Sequence, residues 1–171
     1  GTILSDNREI VFGEDEIIVS KIDARGRISY LNRVYMRMAG YPEQEVLGND
    51  QSMIYHPDMP QGLFRLMWNT LEQGQEFLGY IKSISSGGDF FWAVVNVTPD
   101  LGLDDRLLGY HYVGRKPSAS AVKAIEPLYR EMLDAEQKKQ QAGDAEMASI
   151  ELLMKRLAES KTTYDEFVLS L

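Results

Sequence analysis

The chain has 171 residues, no cysteine and a formal net charge of −8, a length that suits one domain with an appendage. The negative charge argues against direct nucleic-acid binding, and the lack of cysteine excludes disulfides, thiolate nucleophiles, cysteine-ligated metals and flavin–cysteine adducts. No apolar run approaches the roughly 18 residues that cross a bilayer, and no leader pattern opens the chain, so we expect a cytoplasmic protein without membrane insertion.

The first half of the chain predicts a hairpin followed by helices. Residues 1–14 show no clear periodicity and are predicted to form an N-terminal arm. Two β-branched runs within 17–31 flank a glycine-containing turn, which is typical of a β-hairpin. Short helical segments are predicted at 32–40 and 42–48, each ended by glycine. Apolar residues at helical spacing then predict a longer helix over 60–74, which begins at a proline.

The second half predicts three strands and then helices. The strands are predicted at 77–84, 90–98 and 107–115, with turn residues between them. Period-two alternation in the middle strand makes both of its faces largely apolar, so we expect both faces of the sheet to be covered. From residue 118 the composition shifts toward alanine, glutamate, lysine and glutamine, which predicts a helical C-terminal extension.

Four details of the extension are specific enough to test. Pro127 predicts a kink or a restart in its first helix, and the pattern predicts a second break around Gly143. Beyond this break an apolar seam repeats at three- and four-residue steps and calls for a partner surface; its members are Met147, Ile150, Met154 and Leu157. Thr163 and Glu166 have the spacing of a capping box that opens a last short helix.

The order of these elements resembles the PAS family, and within it the sensory domain of bacterial aerotaxis receptors. The matching motifs are Gly-Tyr at 40–41, Val-Leu-Gly at 46–48, His-Pro-Asp-Met-Pro at 56–60, Met-Trp at 67–68, Gly-Asp at 88–89, Trp92, Pro99 and Glu-Pro-Leu-Tyr at 126–129. The resemblance implies an α+β PAS fold, in which short helices and one longer helix lie on one face of a five-stranded antiparallel sheet. We therefore expect an arm at 1–14, a PAS sensory domain at 15–117 and the helical extension at 118–171.

The resemblance also implies a function. Family members of this kind bind FAD noncovalently and report redox state or oxygen to the chemotaxis machinery. We therefore expect a sensor that is not an enzyme, that binds a flavin or another small planar ligand, and that signals to a chemoreceptor or a signalling kinase, with FMN or haem as alternative cofactors. A homodimer is expected because both sheet faces are apolar and the extension offers a seam. The candidate cofactor-binding residues are Asn32, His56, Asp58, Trp68, Ser83 and Asn96.

Each candidate also has a structural interpretation. Trp68 lies on the helix face directed at the sheet, where it could stack on a flavin ring or serve as a core residue. His56 could orient a cofactor or tie its loop by hydrogen bonds. Asp58 is placed to satisfy free amides at the start of the longer helix. Ser83 and Asn96 interrupt apolar strand patterns and need hydrogen-bond partners, which a ligand edge, water or backbone could supply.

Two alternatives to a flavin sensor remain open. A cofactor-free interaction or dimerisation module is favoured by three departures from the family pattern: Tyr55 where arginine is usual, Ser83 where asparagine is common, and Arg33 where aspartate is frequent. A haem sensor would need His56 or His111 as its axial ligand. An enzymatic function is disfavoured, because the serines lack a triad context and the glycine pair at 87–88 has the context of a hairpin turn and not of a phosphate loop.

Overall fold

The computed structural model describes residues 7–171 and contains the predicted five-stranded sheet. In chain order the elements are β1 (Ile17–Asp23), β2 (Ile28–Leu31), α1 (Arg33–Ala39), α2 (Glu43–Val46), a 3₁₀ turn (Gln51–Ile54), α3 (Gln61–Glu72), β3 (Phe77–Ile84), β4 (Phe90–Leu101), β5 (Leu107–Arg115), α4 (Ala119–Gln137), α5 (Ala142–Glu159) and α6 (Tyr164–Leu169). The strands lie in the order β2-β1-β5-β4-β3 and pair antiparallel throughout. The expected fold class is confirmed.

The register decides which side chains face the core. Ser20 of β1 lies opposite Tyr112 of β5, which lies opposite Val97 of β4, and all three are buried. Tyr35 of α1 stacks on Tyr112 and meets Phe91 of β4 edge-on, so this face of the sheet is the one that the first helices cover. Because neighbouring strand residues point to opposite sides, the alternate residues of each strand form an outer face.

The extension covers part of that outer face and then wraps around the edge strand β3. Tyr129 of α4 stacks on Trp92, with ring centroids 6.1 Å apart, while α5 packs against α3 and α6 packs against β3. The Tyr129 hydroxyl donates to the Tyr80 carbonyl oxygen at 2.7 Å, and the Tyr80 N–H donates to the Tyr164 hydroxyl at 3.3 Å. Two tyrosines of the extension thus satisfy both backbone groups of Tyr80 at the open edge of the sheet.

Several predictions about the extension need correction. The α4 helix does not restart at Pro127, because Pro127 lies on an exposed side where water can take up the carbonyl that loses its N–H partner. Gly143 lies inside the first turn of α5, and the chain breaks just before it. The buried stripe of α5 contains Ser149, Leu153 and Leu157, whereas Met147 and Met154 of the predicted seam are exposed.

Other local predictions agree closely with the structure. Asn32 caps α1, since its side chain accepts from the Tyr35 N–H, and Gly40 ends that helix with φ +74°. Thr163 caps α6 by accepting from the Glu166 N–H. The predicted arm is described only from residue 7 onward, where Ile10 donates to the Phe90 carbonyl oxygen; residues 1–6 of that prediction lie outside the described residues. None of the helices within residues 7–171 has the length and apolar character that a membrane span requires.

Candidate functional site

A cleft of about 550 Å³ opens between α3, the β1–β2 turn and the N-terminal part of α5. This volume lies within the range of about 300–1,000 Å³ that is usual for small-molecule sites. Its lining residues are Ile22, Ala24, Arg25, Gly26, Asp50, Gln51, Ser52, Tyr55, His56, Pro57, Gln61, Phe64, Arg65, Trp68, Glu72, Tyr110 and Glu146. Two of the predicted site residues, His56 and Trp68, are among them.

Aromatic side chains form two walls of the cleft. The half-buried Trp68 meets Tyr110 of β5 edge-on, with ring centroids 5.3 Å apart. The far edge of its indole lies over Gly26, whose φ of +88° suits the tight turn between β1 and β2. Farther along α3, Phe64 stacks on Tyr55 with ring centroids 4.3 Å apart and ring planes at 10°. The cleft therefore offers flat, apolar surfaces to a planar ligand.

A polar network connects the cleft to the core. The Ser20 hydroxyl donates to Gln51 Oε1 at 2.7 Å, and Gln51 Nε2 donates to the Tyr35 hydroxyl at 3.2 Å. Burial raises the pKa of the Tyr35 phenol well above its usual range, so that this hydroxyl keeps its proton. Gln51 is the one member of this network that also lines the cleft, so its amide joins the cleft to the interior.

His56 is held as a neutral imidazole with one unused donor. Its Nδ1 accepts from the Asp58 N–H at 2.9 Å, so the ring proton resides on Nε2. Burial, together with the nearby Lys82 ammonium, lowers the pKa of His56 against the opposing effect of the Asp58 carboxylate. Nε2 is buried and has no hydrogen-bond partner among the described residues. A buried N–H without a partner is costly, and a hydrogen-bond acceptor brought to it would remove that cost.

Two further buried hydroxyls also have no partner within the described part of the chain. Ser83 Oγ, on the inner face of β3, makes no hydrogen bond. The Tyr112 hydroxyl lies close to that of Tyr35 but makes no hydrogen bond of acceptable geometry. Neither residue lines the cleft. Together with His56, they are the side chains of the interior that still need a hydrogen-bond partner.

The rim of the cleft is charged. Two guanidiniums, Arg25 and Arg65, and three carboxylates, Asp50, Glu72 and Glu146, line it. Arg65 Nε donates to Glu146 Oε1 across the boundary between α3 and α5. The pair is partly exposed, with 49% and 30% of the two side-chain surfaces accessible. The carboxylates on this rim therefore outnumber the guanidiniums by one.

The structure separates the remaining predicted residues from the cleft. Asn96 lies on the outer face of the sheet and donates to Glu76, so it does not face the interior. Asn32 is occupied as the cap of α1 and as a donor to the Ile17 carbonyl oxygen. The prediction that the Asp58 carboxylate caps α3 is wrong, because this carboxylate lies 3.4 Å from Lys82 Nζ. His111 also lies on the outer face, 3.5 Å from an Asp100 oxygen.

Several cleft residues escaped the sequence prediction. Gln51 and Tyr110 carried no signal, because a single polar residue in a loop and a strand tyrosine are common without a functional reason. Glu146 is 81 residues from Arg65 in sequence, and no local pattern indicates such a contact. Tyr55 departs from the family pattern, and its stack on Phe64 shows what that departure does in the fold.

Comparison with known proteins relates this geometry to a family. Residues 17–116 match the family model described as the PAS fold. The chain is 31% identical over 117 residues, 68% of its length, to the aerotaxis receptor of Escherichia coli (strain K12). It is 25% identical over 114 residues, 67% of its length, to the nitrogen fixation regulatory protein of Klebsiella pneumoniae. In both cases the match spans 23% of the relative, so the chain covers less than a quarter of these curated proteins.

A solved structure agrees with the fold. A light-oxygen-voltage domain, described in a study of a flavin analogue, superimposes with a TM-score of 0.57 at 20% sequence identity. The superposition covers 72% of this chain and 87% of that chain. At this identity the likeness concerns the fold alone.

Proposed function

The chain belongs to the PAS family, and we propose that it is a signal-transduction sensor that binds a flavin, FAD in first place, noncovalently in the cleft beside α3. The observation that carries the proposal is the neutral, buried His56, which lines a cleft walled by Trp68 and Tyr110 and whose Nε2–H has no partner within residues 7–171. The relationship to an aerotaxis receptor supports redox state or oxygen as the signal.

The residues present fit such a group. A flavin has a flat ring with hydrogen-bonding edges, and FAD adds two phosphates. Trp68, Tyr110 and Phe64 supply flat surfaces, His56 Nε2 supplies a donor, and the Gln51 amide supplies both a donor and an acceptor. The guanidiniums on the rim suit phosphate oxygens, which they bind in a bidentate manner. The cleft volume of about 550 Å³ is also adequate for a small-molecule ligand.

A bound flavin would supply electron-transfer chemistry, in which the ring changes its charge and protonation with its redox state. The part of this chain is to respond to that change. A negative charge placed beside His56 would raise the pKa of the imidazole, whereas burial and Lys82 now hold it low. Protonation at Nδ1 would end the hydrogen bond that His56 accepts from the Asp58 N–H. The 56–60 loop leads directly into α3, so this change would be transmitted to the helix that forms the cleft.

The partner and the assembly belong to the same proposal. We expect a chemotaxis-type partner, a chemoreceptor or a signalling kinase, because the E. coli relative is an aerotaxis receptor. We also expect self-association through the uncovered part of the outer sheet face, where Val19, Val94 and Val113 are only half-buried. Light scattering of the purified protein, with and without FAD, measures whether a dimer forms.

Three variants test cofactor binding. Trp68→Ala should reduce FAD binding and leave the far-ultraviolet circular dichroism unchanged, because Trp68 is half-buried and lines the cleft. Trp68→Phe keeps a flat ring and should retain most of the affinity. Trp92→Phe is the matched control on the outer face, and it should leave FAD binding unchanged. Mass spectrometry of the small molecule released from wild-type protein identifies the ligand.

A second candidate function is a cofactor-free interaction module. The stack of Tyr55 on Phe64 favours it, since these rings already fill space beside α3 that a ligand could use. Protein that stays colourless after expression with added flavin precursor, and that takes up no FAD on dialysis, would support this candidate and refute the flavin sensor. A haem sensor now depends on His56, since His111 lies outside the interior. A Soret band that His56→Ala abolishes would support it.

A further inference from the structure

The C-terminal extension contributes to the cleft itself. Glu146 of α5 lines it, and its carboxylate holds Arg65 of α3. Arg65 lies on the same helix as Phe64 and Trp68, which form the aromatic walls. Any ligand group that attracts Arg65 therefore competes with a residue of the extension.

Two other contacts make α3 and the extension a tightly packed unit. The Glu136 carboxylate, which is 9% exposed, accepts from the Gly62 N–H at 3.3 Å, near the N-terminus of α3 where backbone N–H groups lack partners inside the helix. A Cβ at Gly62 would lie 2.2 Å from Ser149 Oγ and 2.7 Å from the Ile150 nitrogen. The backbones of α3 and α5 thus approach as closely as glycine permits, so a displacement of one helix must move the other.

The charge of the rim determines which ligands would disturb the contact between α3 and α5. With Glu146 in place, the rim has three carboxylates and two guanidiniums, so an anionic ligand is repelled. Withdrawal of Glu146 leaves two of each and frees Arg65 to bind an anion. A neutral ligand would gain nothing from this change. Glu146 therefore couples the charge of the ligand to the position of α5.

We propose, on the basis of the proposed function, that the Arg65–Glu146 pair is a latch: phosphate groups of a bound dinucleotide take Arg65 from Glu146, and α5 shifts in response. Linkage requires the converse as well, so that release of Glu146 strengthens binding of the anionic ligand. The latch is an exposed ion pair, and such pairs are weak enough for a ligand to break. It turns occupancy of the cleft into a movement of the extension.

Binding of FAD and of riboflavin, which has the same ring without phosphates, tests the latch. Glu146→Gln should raise the affinity for FAD by about two- to fivefold and leave that for riboflavin unchanged. The matched control is Glu131→Gln, which removes another partly exposed ion pair, Arg156–Glu131, between α4 and α5 and away from the cleft. It should change neither affinity. An equal gain for riboflavin, or no gain for FAD, would overturn the proposal.

A distance measurement tests the movement. Because the chain has no native cysteine, spin labels on Glu43→Cys in α2 and Lys155→Cys in α5 report one distance. FAD should shift this distance in wild-type background, and Glu146→Gln should give the same shift without FAD. Unchanged distances in both cases overturn the latch even where FAD binds. If the wild-type protein binds no FAD, the proposed function itself fails and the latch fails with it, a result distinct from binding without movement.

Discussion

Two buried serines allow a sharp test of the interior. Ser20 is 0% exposed and Ser83 is 1% exposed, and both lie on the inner face of the sheet. The Ser20 hydroxyl donates to Gln51 at 2.7 Å, whereas Ser83 Oγ has no hydrogen-bond partner in the part of the chain that the structure describes. The same substitution, serine to alanine, therefore removes a satisfied hydroxyl in one case and an unsatisfied one in the other.

The two substitutions should change stability in opposite directions. Ser20→Ala leaves Gln51 Oε1 without its donor, and an unpaired buried polar atom costs about 1–3 kcal/mol in the free energy of unfolding. For a chain of this size that corresponds to a decrease in Tm of about 2–12 °C. Ser83→Ala removes a hydroxyl whose desolvation nothing offsets, so the ligand-free protein should keep its stability or gain up to about 1–3 kcal/mol.

Urea denaturation followed by circular dichroism measures the free energy of unfolding of both variants in ligand-free protein. Titration with FAD measures their affinity for the cofactor. Because Ser83 does not line the cleft, Ser83→Ala should leave FAD binding unchanged. A loss of stability in Ser83→Ala equal to that in Ser20→Ala would refute the reasoning. Ser83 would then already have a hydrogen-bond partner in the free protein.

Three further predictions concern the extension and His56. Tyr129→Phe should lower the unfolding free energy by about 1–3 kcal/mol in urea denaturation, because a buried hydrogen-bonded hydroxyl is lost, whereas the exposed Tyr30→Phe should have no effect. Gly62→Ala should cost about 1–2 kcal/mol in the same assay, since the overlap with Ser149 exceeds the gain in helix propensity; a stabilised variant would show that the helices are not in close contact. The folded state depresses the pKa of His56 below 6.5, so only the unfolded chain takes up this proton just below that value, and stability should fall as pH drops from about 7.5 to 5.5. His56→Asn should flatten this dependence, and an unchanged slope would assign it to other groups.

The sheet and α3 could be predicted because their signals are local. Runs of β-branched residues, glycine turns and helical spacing depend on neighbours a few positions apart, and they located all five strands. Alternation showed that Asn96 shares a face with Trp92, but the pattern does not say which face looks inward. The contacts of Tyr35 with Phe91 and Tyr112 decide that, and they depend on packing between distant segments.

The cleft could be predicted only in part for the same reason. His56 and Trp68 lie in motifs that the family resemblance made visible, and both line the cleft. Gln51 and Glu146 were missed, because their importance arises from partners far away in sequence. The buried stripe of α5 was displaced from the predicted seam, since helical periodicity tolerates neighbouring faces when several are partly apolar.

The contacts of the extension also limit how far it can move. Tyr129 and Tyr164 supply the hydrogen bonds that the open edge of β3 needs at Tyr80, and all three groups are buried. Detachment of these helices would expose an unpaired strand edge, which is costly and favours aggregation. The Arg65–Glu146 pair, in contrast, is partly open to water and can be exchanged for a ligand. We therefore infer that the extension responds by a small shift of α5, while its attachment to Tyr80 of β3 stays fixed. Hydrogen exchange of the Tyr80 backbone N–H should therefore stay slow when FAD binds.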